Sequence, residues 1–247
     1  MELKSRALYY WVLFMAFNKG DFILVEYTVR VKETGALLDT TNAELAKQEN
    51  IYDASKLYGP TLIVLGKNWI NSVVEDWILN ASENSEGEIE VPPDKAFGER
   101  DPNKVKVYSL RELQRRGYVP SIGDVIELNG VKGIVKQISG GRVTIDFNHP
   151  LAGKTLVYKV KIIKKLEDFE EKIKALTSRH LRIPQEDVTV IYDSNERKLT
   201  LSIPGRYISR ENINYAKLTL AADLFAMFKN EVQVLVFSEV LKPVTNP

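Results

Sequence analysis

Residues 143–158, Val-Thr-Ile-Asp-Phe-Asn-His-Pro-Leu-Ala-Gly-Lys-Thr-Leu-Val-Tyr, form a seam between two kinds of sequence. They begin inside an alternating apolar and polar strand (142–147), pass through a loop of turn formers (148–153), and end in a second alternating strand (156–163). Upstream, short strands at 125–128, 133–138 and 142–147 are separated by Asn129-Gly130 and Gly140-Gly141, dipeptides that favour tight hairpins. A small helix near 109–116 precedes them. Residues 105–146 therefore read as a compact β-rich unit inserted into a larger sheet domain.

Working outward, residues 23–31 alternate and are β-branched, Glu33-Thr34-Gly35 is a turn, and 37–41 is the return strand. A short helix at 43–50 leads to a Tyr58-Gly59-Pro60 turn and a strand at 62–65. Trp69, Val73, Val74, Trp77 and Ile78 recur at helical spacing, which predicts an amphipathic helix over 68–79. A strand at 88–91 ends at Pro92-Pro93. After Lys164-Lys165 the period changes. Phe169, Ile173, Leu176 and Leu181 mark a helix, strands follow at 188–192 and 198–203, a long helix covers 209–228, and a strand at 232–237 closes the chain. This α-β-β-α-β order predicts a small C-terminal domain at 167–247. Its second helix carries more apolar surface than one sheet face needs, through Tyr215, Leu218, Leu224, Phe225 and Phe228, and predicts a homodimer or an interdomain contact.

Composition narrows the function classes. The 247 residues hold 34 Lys+Arg against 33 Asp+Glu, for a net charge of +1, with 44% hydrophobic residues and no Cys. A wholly disordered chain is excluded, and so are thiol catalysis and Cys-based metal sites. There is no phosphate-binding glycine loop, no dinucleotide fingerprint and no nucleophile elbow. His149 reads as a loop residue capping backbone groups, and His180 as a charge at a helix C-terminus. No metal or cofactor is expected. The apolar run 7–17, preceded by Lys4 and Arg6, is shorter than the roughly 20 residues that span a bilayer. Residues 1–16 are read as an N-terminal extension. Met15 as the natural start, a partner-binding or membrane-touching helix, and a signal core stay open as readings of it.

Three segments carry a specific resemblance: Leu38-Asp39-Thr40-Thr41; Pro92-Pro93-Asp94-Lys95-Ala96-Phe97-Gly98-Glu99-Arg100-Asp101-Pro102; and the seam at 143–158. Together, over about 17–165, they resemble the FKBP-type peptidyl-prolyl isomerases, in particular the long SlyD-like branch found in archaea. The resemblance implies an α+β fold in which an antiparallel half-barrel sheet wraps one helix. That domain would take 17–102 and 147–166, with a β-rich flap inserted at 103–146. It also implies a cytoplasmic prolyl isomerase and folding chaperone that acts on unfolded polypeptides through an apolar pocket, without covalent chemistry.

By the same resemblance, Tyr27, Asp39, Phe97 and Tyr158 are the catalytic set. Leu38, Leu65, Ile70, Asn71, Val74 and Leu151 would line the substrate pocket. Val107, Leu110, Leu113, Tyr118, Val119, Ile122 and Ile126 of the flap would hold clients, with at least half of them expected to build the flap's own core. The pocket helix departs from the family pattern. Asn71 replaces an apolar residue and brings a polar side chain into the cradle, Val73 replaces a glycine, and Val74 replaces a large floor residue. Two alternatives follow. One is an FKBP-like holdase with little or no catalysis. The other is RNA or ribosome association through the small β-barrel insert, with Lys132, Lys136, Arg142, Arg111, Arg115 and Arg116 on phosphate; no nucleic acid is expected under the main reading.

Overall fold

The computed structural model describes residues 17–241, so the readings of the N-terminal run at 7–16 lie outside the described residues. Among the described residues no helix is long and apolar enough to cross a membrane. The chain divides into two compact units. The first takes the described residues up to Arg30, then 35–89 and those from Val157 onward; the second takes 31–34 and 90–156.

The main sheet has five strands: β1 (Phe22–Val31), β2 (Leu37–Thr40), β3 (Thr61–Val64), β4 (Glu86–Val91) and β9 (Leu156–Leu166). Their order is β2-β1-β9-β4, with β3 paired to the other end of β1. The antiparallel register Phe22↔Val64, Ile23↔Ile63, Leu24↔Leu62 sorts side chains onto two faces. Both faces are buried: Ile23, Val25 and Ile63 on one, Phe22, Leu24, Leu62 and Val64 on the other. Helix α1 (Ala43–Gln48) links β2 to the loop before β3, and α2 (Ser72–Leu79) buries Val74 and Ile78 completely.

Strand β4 shows how tightly α2 sits. Glu86, Glu88 and Glu90 alternate with Gly87, Ile89 and Val91, and the second set points inward. A Cβ on Gly87 would lie 2.3 Å from the Trp77 ring of α2. Gly87→Ala is therefore expected to cost about 1–3 kcal/mol through overpacking. Thermal unfolding checks this, and Trp77→Leu in the same chain should recover most of the loss.

From Leu166 the chain forms α4 (Phe169–Leu181), β10 (Thr189–Asp193), β11 (Lys198–Pro204), α5 (Ile213–Met227) and β12 (Val234–Val240). Asp168 caps α4 by accepting from Glu171 N–H at 2.9 Å. Strands β10 and β11 are antiparallel; β11 and β12 are parallel, which requires a crossover, and α5 is that crossover. Strand β12 starts two residues later than the pattern at 232 suggests, because Val232 is buried in the turn that follows α5. The outer face of β1 and β3 packs on this segment in a single core with Ile173, Leu176, Leu220 and Leu224.

The second unit holds a four-stranded sheet in the order β5-β8-β7-β6, from β5 (Val105–Ser109), β6 (Val125–Leu128), β7 (Val131–Ser139) and β8 (Arg142–Asp146), with helix α3 (Leu110–Arg115). The hairpin dipeptides sit where the sequence places them, Asn129 and Gly130 at φ 54° and 78°, Gly140 and Gly141 at 56° and 73°. Strand β5 has no clear signal in the sequence because it is a mostly exposed edge paired only to β8. The expected client face divides into core and surface residues. Leu113 and Ile126 are 1% and 6% exposed and build the insert's core, with Leu110 and Tyr118 packed half-buried against them. A client has no access to Leu113 and Ile126. Val107, Val119 and Ile122 do face solvent, at 60%, 84% and 67% exposed.

Candidate functional site

Strand pairing puts Tyr27 and Asp39 side by side. The register Thr28↔Thr40 is locked at its end by Thr41, whose hydroxyl accepts from Tyr27 N–H at 3.0 Å and whose N–H donates to the Tyr27 carbonyl. Tyr27 then donates its hydroxyl proton to Asp39 Oδ2 at 2.8 Å. The other carboxylate oxygen accepts from Thr40 N–H at 2.8 Å and from the Lys56 ammonium, which also donates to the Thr40 carbonyl at 2.8 Å. The Lys56 charge lies 5.4 Å from the Tyr58 ring and 6.0 Å from the Tyr27 ring.

The electrostatics fix the protonation of both tyrosines. Burial raises the Tyr27 hydroxyl well above its ordinary value, and the Asp39 charge and hydrogen bond push it further. Burial, then Asp39, raises Tyr158 in the same direction. Both phenols therefore stay neutral. Because the Tyr27 proton is committed to Asp39, a bound molecule meets the Tyr27 oxygen as an acceptor only.

The rim of the site is more polar than an apolar cradle. Tyr27, Asp39, Lys56, Tyr58 and Trp69 line a cleft of about 630 Å³ together with Ser178, Arg179, His180 and Arg182 of the C-terminal segment. Arg179 donates to the Leu62 carbonyl of β3 at 3.0 Å and lies 4.3 Å over the Trp69 ring. The sequence offered no motif for these residues or for Lys56; they reach the site only through the packing of α4 on β3. His180 is more than a helix-end charge. Its Nε2 is 3.0 Å from Asp223 Oδ2 and its Nδ1 is 3.3 Å from Thr219 Oγ1, and burial holds its pKa below the ordinary value against the pull of Asp223. A larger cleft of about 770 Å³ lies along Glu26, Thr28, Glu86, Glu88, Lys159 and Lys161. Its two lysines are spent on the pairs Lys161–Glu86 and Lys159–Glu88, which leaves its lining acidic through Glu26 and Glu44.

The pocket-helix residues fall differently from expectation. Asn71 does not turn a free polar side chain into a cradle; it is the N-cap of α2, with Oδ1 accepting from Val73 N–H at 3.0 Å. Leu65 and Val74 are 1% and 0% exposed, which makes them core beneath the site instead of contact surface. Leu38 and Ile70 are half-buried.

Phe97 and Leu151 belong to the second unit. There Phe97 stacks on His149 with ring centres 4.5 Å apart, and His149 Nδ1 accepts from Leu151 N–H at 3.2 Å, the loop-capping role read from the sequence. The seam at 143–158 is a clamp. Asp146 accepts from Asn148 N–H at 2.9 Å, from Asn148 Nδ2 at 2.8 Å and from Arg100 Nη2 at 2.7 Å, while Asn148 Oδ1 accepts from Asp101 N–H at 2.9 Å. Burial alone would raise the Asp146 carboxyl, but these hydrogen bonds hold it below the usual range.

A sheet curled on one helix, an inserted four-stranded sheet, and a tyrosine–aspartate pair at the β1–β2 edge define a class of small α+β domains. The family described as FKBP26, IF domain, matches residues 106–151. The chain is 28% identical over 145 residues to a short-type peptidyl-prolyl cis-trans isomerase of Methanocaldococcus jannaschii, covering 59% of this chain and 91% of that protein. It is 26% identical over 152 residues to an FKBP-type 16 kDa peptidyl-prolyl cis-trans isomerase of Escherichia coli K12, covering 60% and 92%. With the SlyD isomerase of Helicobacter pylori the figures are 27% over 160 residues, 64% and 78%. Over about three fifths of its length the chain is thus similar to FKBP-type peptidyl-prolyl cis-trans isomerases.

Proposed function

We propose that the chain is a cytoplasmic peptidyl-prolyl cis-trans isomerase and folding chaperone that works at the Tyr27–Asp39 cleft. The names of its relatives support the reaction, and a chain without Cys suits a reducing compartment. The observation that carries the reading is the Tyr27–Asp39 hydrogen bond, which fixes a tyrosine hydroxyl at the edge of the cleft.

Rotation about X–Pro meets a barrier of ~18–20 kcal/mol because twisting destroys amide resonance. The twisted amide is less polar than the planar one, so an aromatic, partly desolvated surface favours it, and no covalent group is needed. A preference of ~4 kcal/mol gives about a thousandfold in rate. Neutral Tyr27, with Tyr58 and Trp69, supplies such a surface. Asp39 fixes the direction of the Tyr27 hydroxyl.

The exposed Val107, Val119 and Ile122 support a client-holding face on the insert, the chaperone half of the proposal. The exposed Tyr215 and Leu218 of α5, each 70% exposed, support a homodimer through the C-terminal segment, which light scattering of the full chain tests.

The decisive experiment measures isomerisation of a short proline peptide and refolding of a proline-limited protein side by side. Acceleration of both is expected, and Val119→Ser with Ile122→Ser should slow the protein substrate more than the peptide. Suppressed aggregation without any peptide acceleration would make the chain a holdase. The complete closure of Leu65 and Val74 favours that second reading.

A further inference from the structure

We propose that Arg179 of α4 gives the isomerase cleft a preference for polypeptides carrying a carboxylate beside the proline, so that the C-terminal segment sets substrate specificity. This rests on the reading of the Tyr27–Asp39 cleft as the isomerase site. The guanidinium is held in place by two contacts, the hydrogen bond to the Leu62 carbonyl at 3.0 Å and the Trp69 ring at 4.3 Å. One of its five N–H groups is used in that bond, and the residue lines the cleft.

Charge decides what the fork would bind. Asp39 is saturated by Tyr27, Thr40 and Lys56, and Asp53 Oδ1 accepts from Ser55 N–H at 2.8 Å. Asp223 faces His180 at 3.0 Å and Lys67 at 3.8 Å. Among the described residues Arg179 forms no ion pair, and Arg182 beside it meets only the Ser55 carbonyl and hydroxyl. Three cationic side chains thus line the cleft against two carboxylates, with His180 held neutral by burial. Burial also pulls the Arg179 pKa down, yet a guanidinium stays charged at neutral pH. The Asp223 charge favours the Arg179 cation from a distance but does not pair with it directly, and an incoming carboxylate would satisfy it with a charge-assisted, bidentate geometry.

The donor inventory points the same way. Tyr27 offers no proton to a ligand and Lys56 spends two of its three on Asp39 and Thr40. Arg179 and Arg182 are therefore the charged side-chain donors left for a substrate oxygen, and of the two Arg179 is the one fixed against β3 and the Trp69 ring.

The test uses the full chain and amidated peptides Ala-Xaa-Pro-Phe with Xaa as Glu, Gln or Lys, plus the Gln peptide as a free acid. In the wild type kcat/KM for Glu should exceed that for Gln by about tenfold, the size of one charge-assisted hydrogen bond, with Lys lowest. A faster Gln free acid would identify the terminal carboxylate as the group bound, and a faster Glu amide the side chain. Arg179→Gln should bring the Glu-to-Gln ratio near one and Arg179→Lys should keep part of it. A variant damaged only in structure would slow both peptides and leave the ratio alone. A wild-type ratio near one, or an unchanged ratio in Arg179→Gln, overturns the proposal. If no peptide is turned over, the isomerase reading fails. The preference is then read from peptide binding by tryptophan fluorescence, where equal affinity for Glu and Gln overturns it as well.

Discussion

A chain ending at Leu166 is expected to lose its cooperative thermal transition and to bind a hydrophobic dye, although every strand of the main sheet is still present. Phe22, Leu24, Leu62 and Val64 are 5%, 8%, 2% and 1% exposed because α4 and α5 cover them. Burying one such side chain is worth about 1.5–3 kcal/mol, so uncovering four forfeits about 6–12 kcal/mol. That is comparable with the whole stability of a typical domain, about 5–15 kcal/mol. The contiguous apolar patch left behind also invites aggregation. Replacing Leu24 and Leu62 by Lys in the shortened chain should improve its solubility, whereas the same changes in the full chain should destabilise it. An unchanged melting temperature for the shortened chain would show that the C-terminal segment is an appendage without structural weight.

The sequence held a sign of this arrangement that alternation alone hides. Phe22-Ile23-Leu24-Val25 is a run of four apolar residues, the pattern of a strand buried on both sides. One side was accounted for by α2, and the other belongs to α4 and α5. Leu220 and Leu224 of the apolar C-terminal helix are buried in one core with β1 and β3, while Tyr215 and Leu218 stay exposed. Elements with strong periods were readable from the chain, including α4, β10 and β11. Strand β4 was read from 88 instead of 86 because Gly87 has no side chain to show its period, and only the Trp77 ring explains it.

The candidate site was legible to the extent that it is local. Tyr27 and Asp39 sit on paired strands joined by a short turn, so the motif carried their contact. Lys56 and Arg179 come from a loop and from a distant helix, and single-chain periodicity holds no record of which side chains meet across such separations. Asn71 was misjudged for a simpler reason. Asn, Ser, Thr and Asp at the first position before a helix usually bond back to the helix, and Asn71 does so.

Replacing Asp39 by Ala is the second change with a large expected effect. It removes the acceptor of three donors at once: the Tyr27 hydroxyl, Thr40 N–H and the Lys56 ammonium. The Tyr27 hydroxyl is left in a largely desolvated place with no fixed direction, and the Lys56 charge is left unpaired against two aromatic rings. A hydrogen bond to a charged group is worth about 1.5–3 kcal/mol, which at about 1.36 kcal/mol per decade predicts a 10–100-fold fall in kcat/KM on a proline peptide. Asp39→Asn keeps an acceptor for Tyr27 without the charge and should fall between wild type and Ala. Tyr27→Phe removes the donor but leaves Asp39 paired to Lys56, so its loss should be smaller than that of Asp39→Ala. If the pair acts as one unit, the double variant Tyr27→Phe with Asp39→Asn loses less than the sum of the two single changes. Additive losses would mean that Tyr27 and Asp39 serve the reaction separately. An Asp39→Ala chain within twofold of wild type, folded by circular dichroism, would move the isomerase site away from this edge of the sheet.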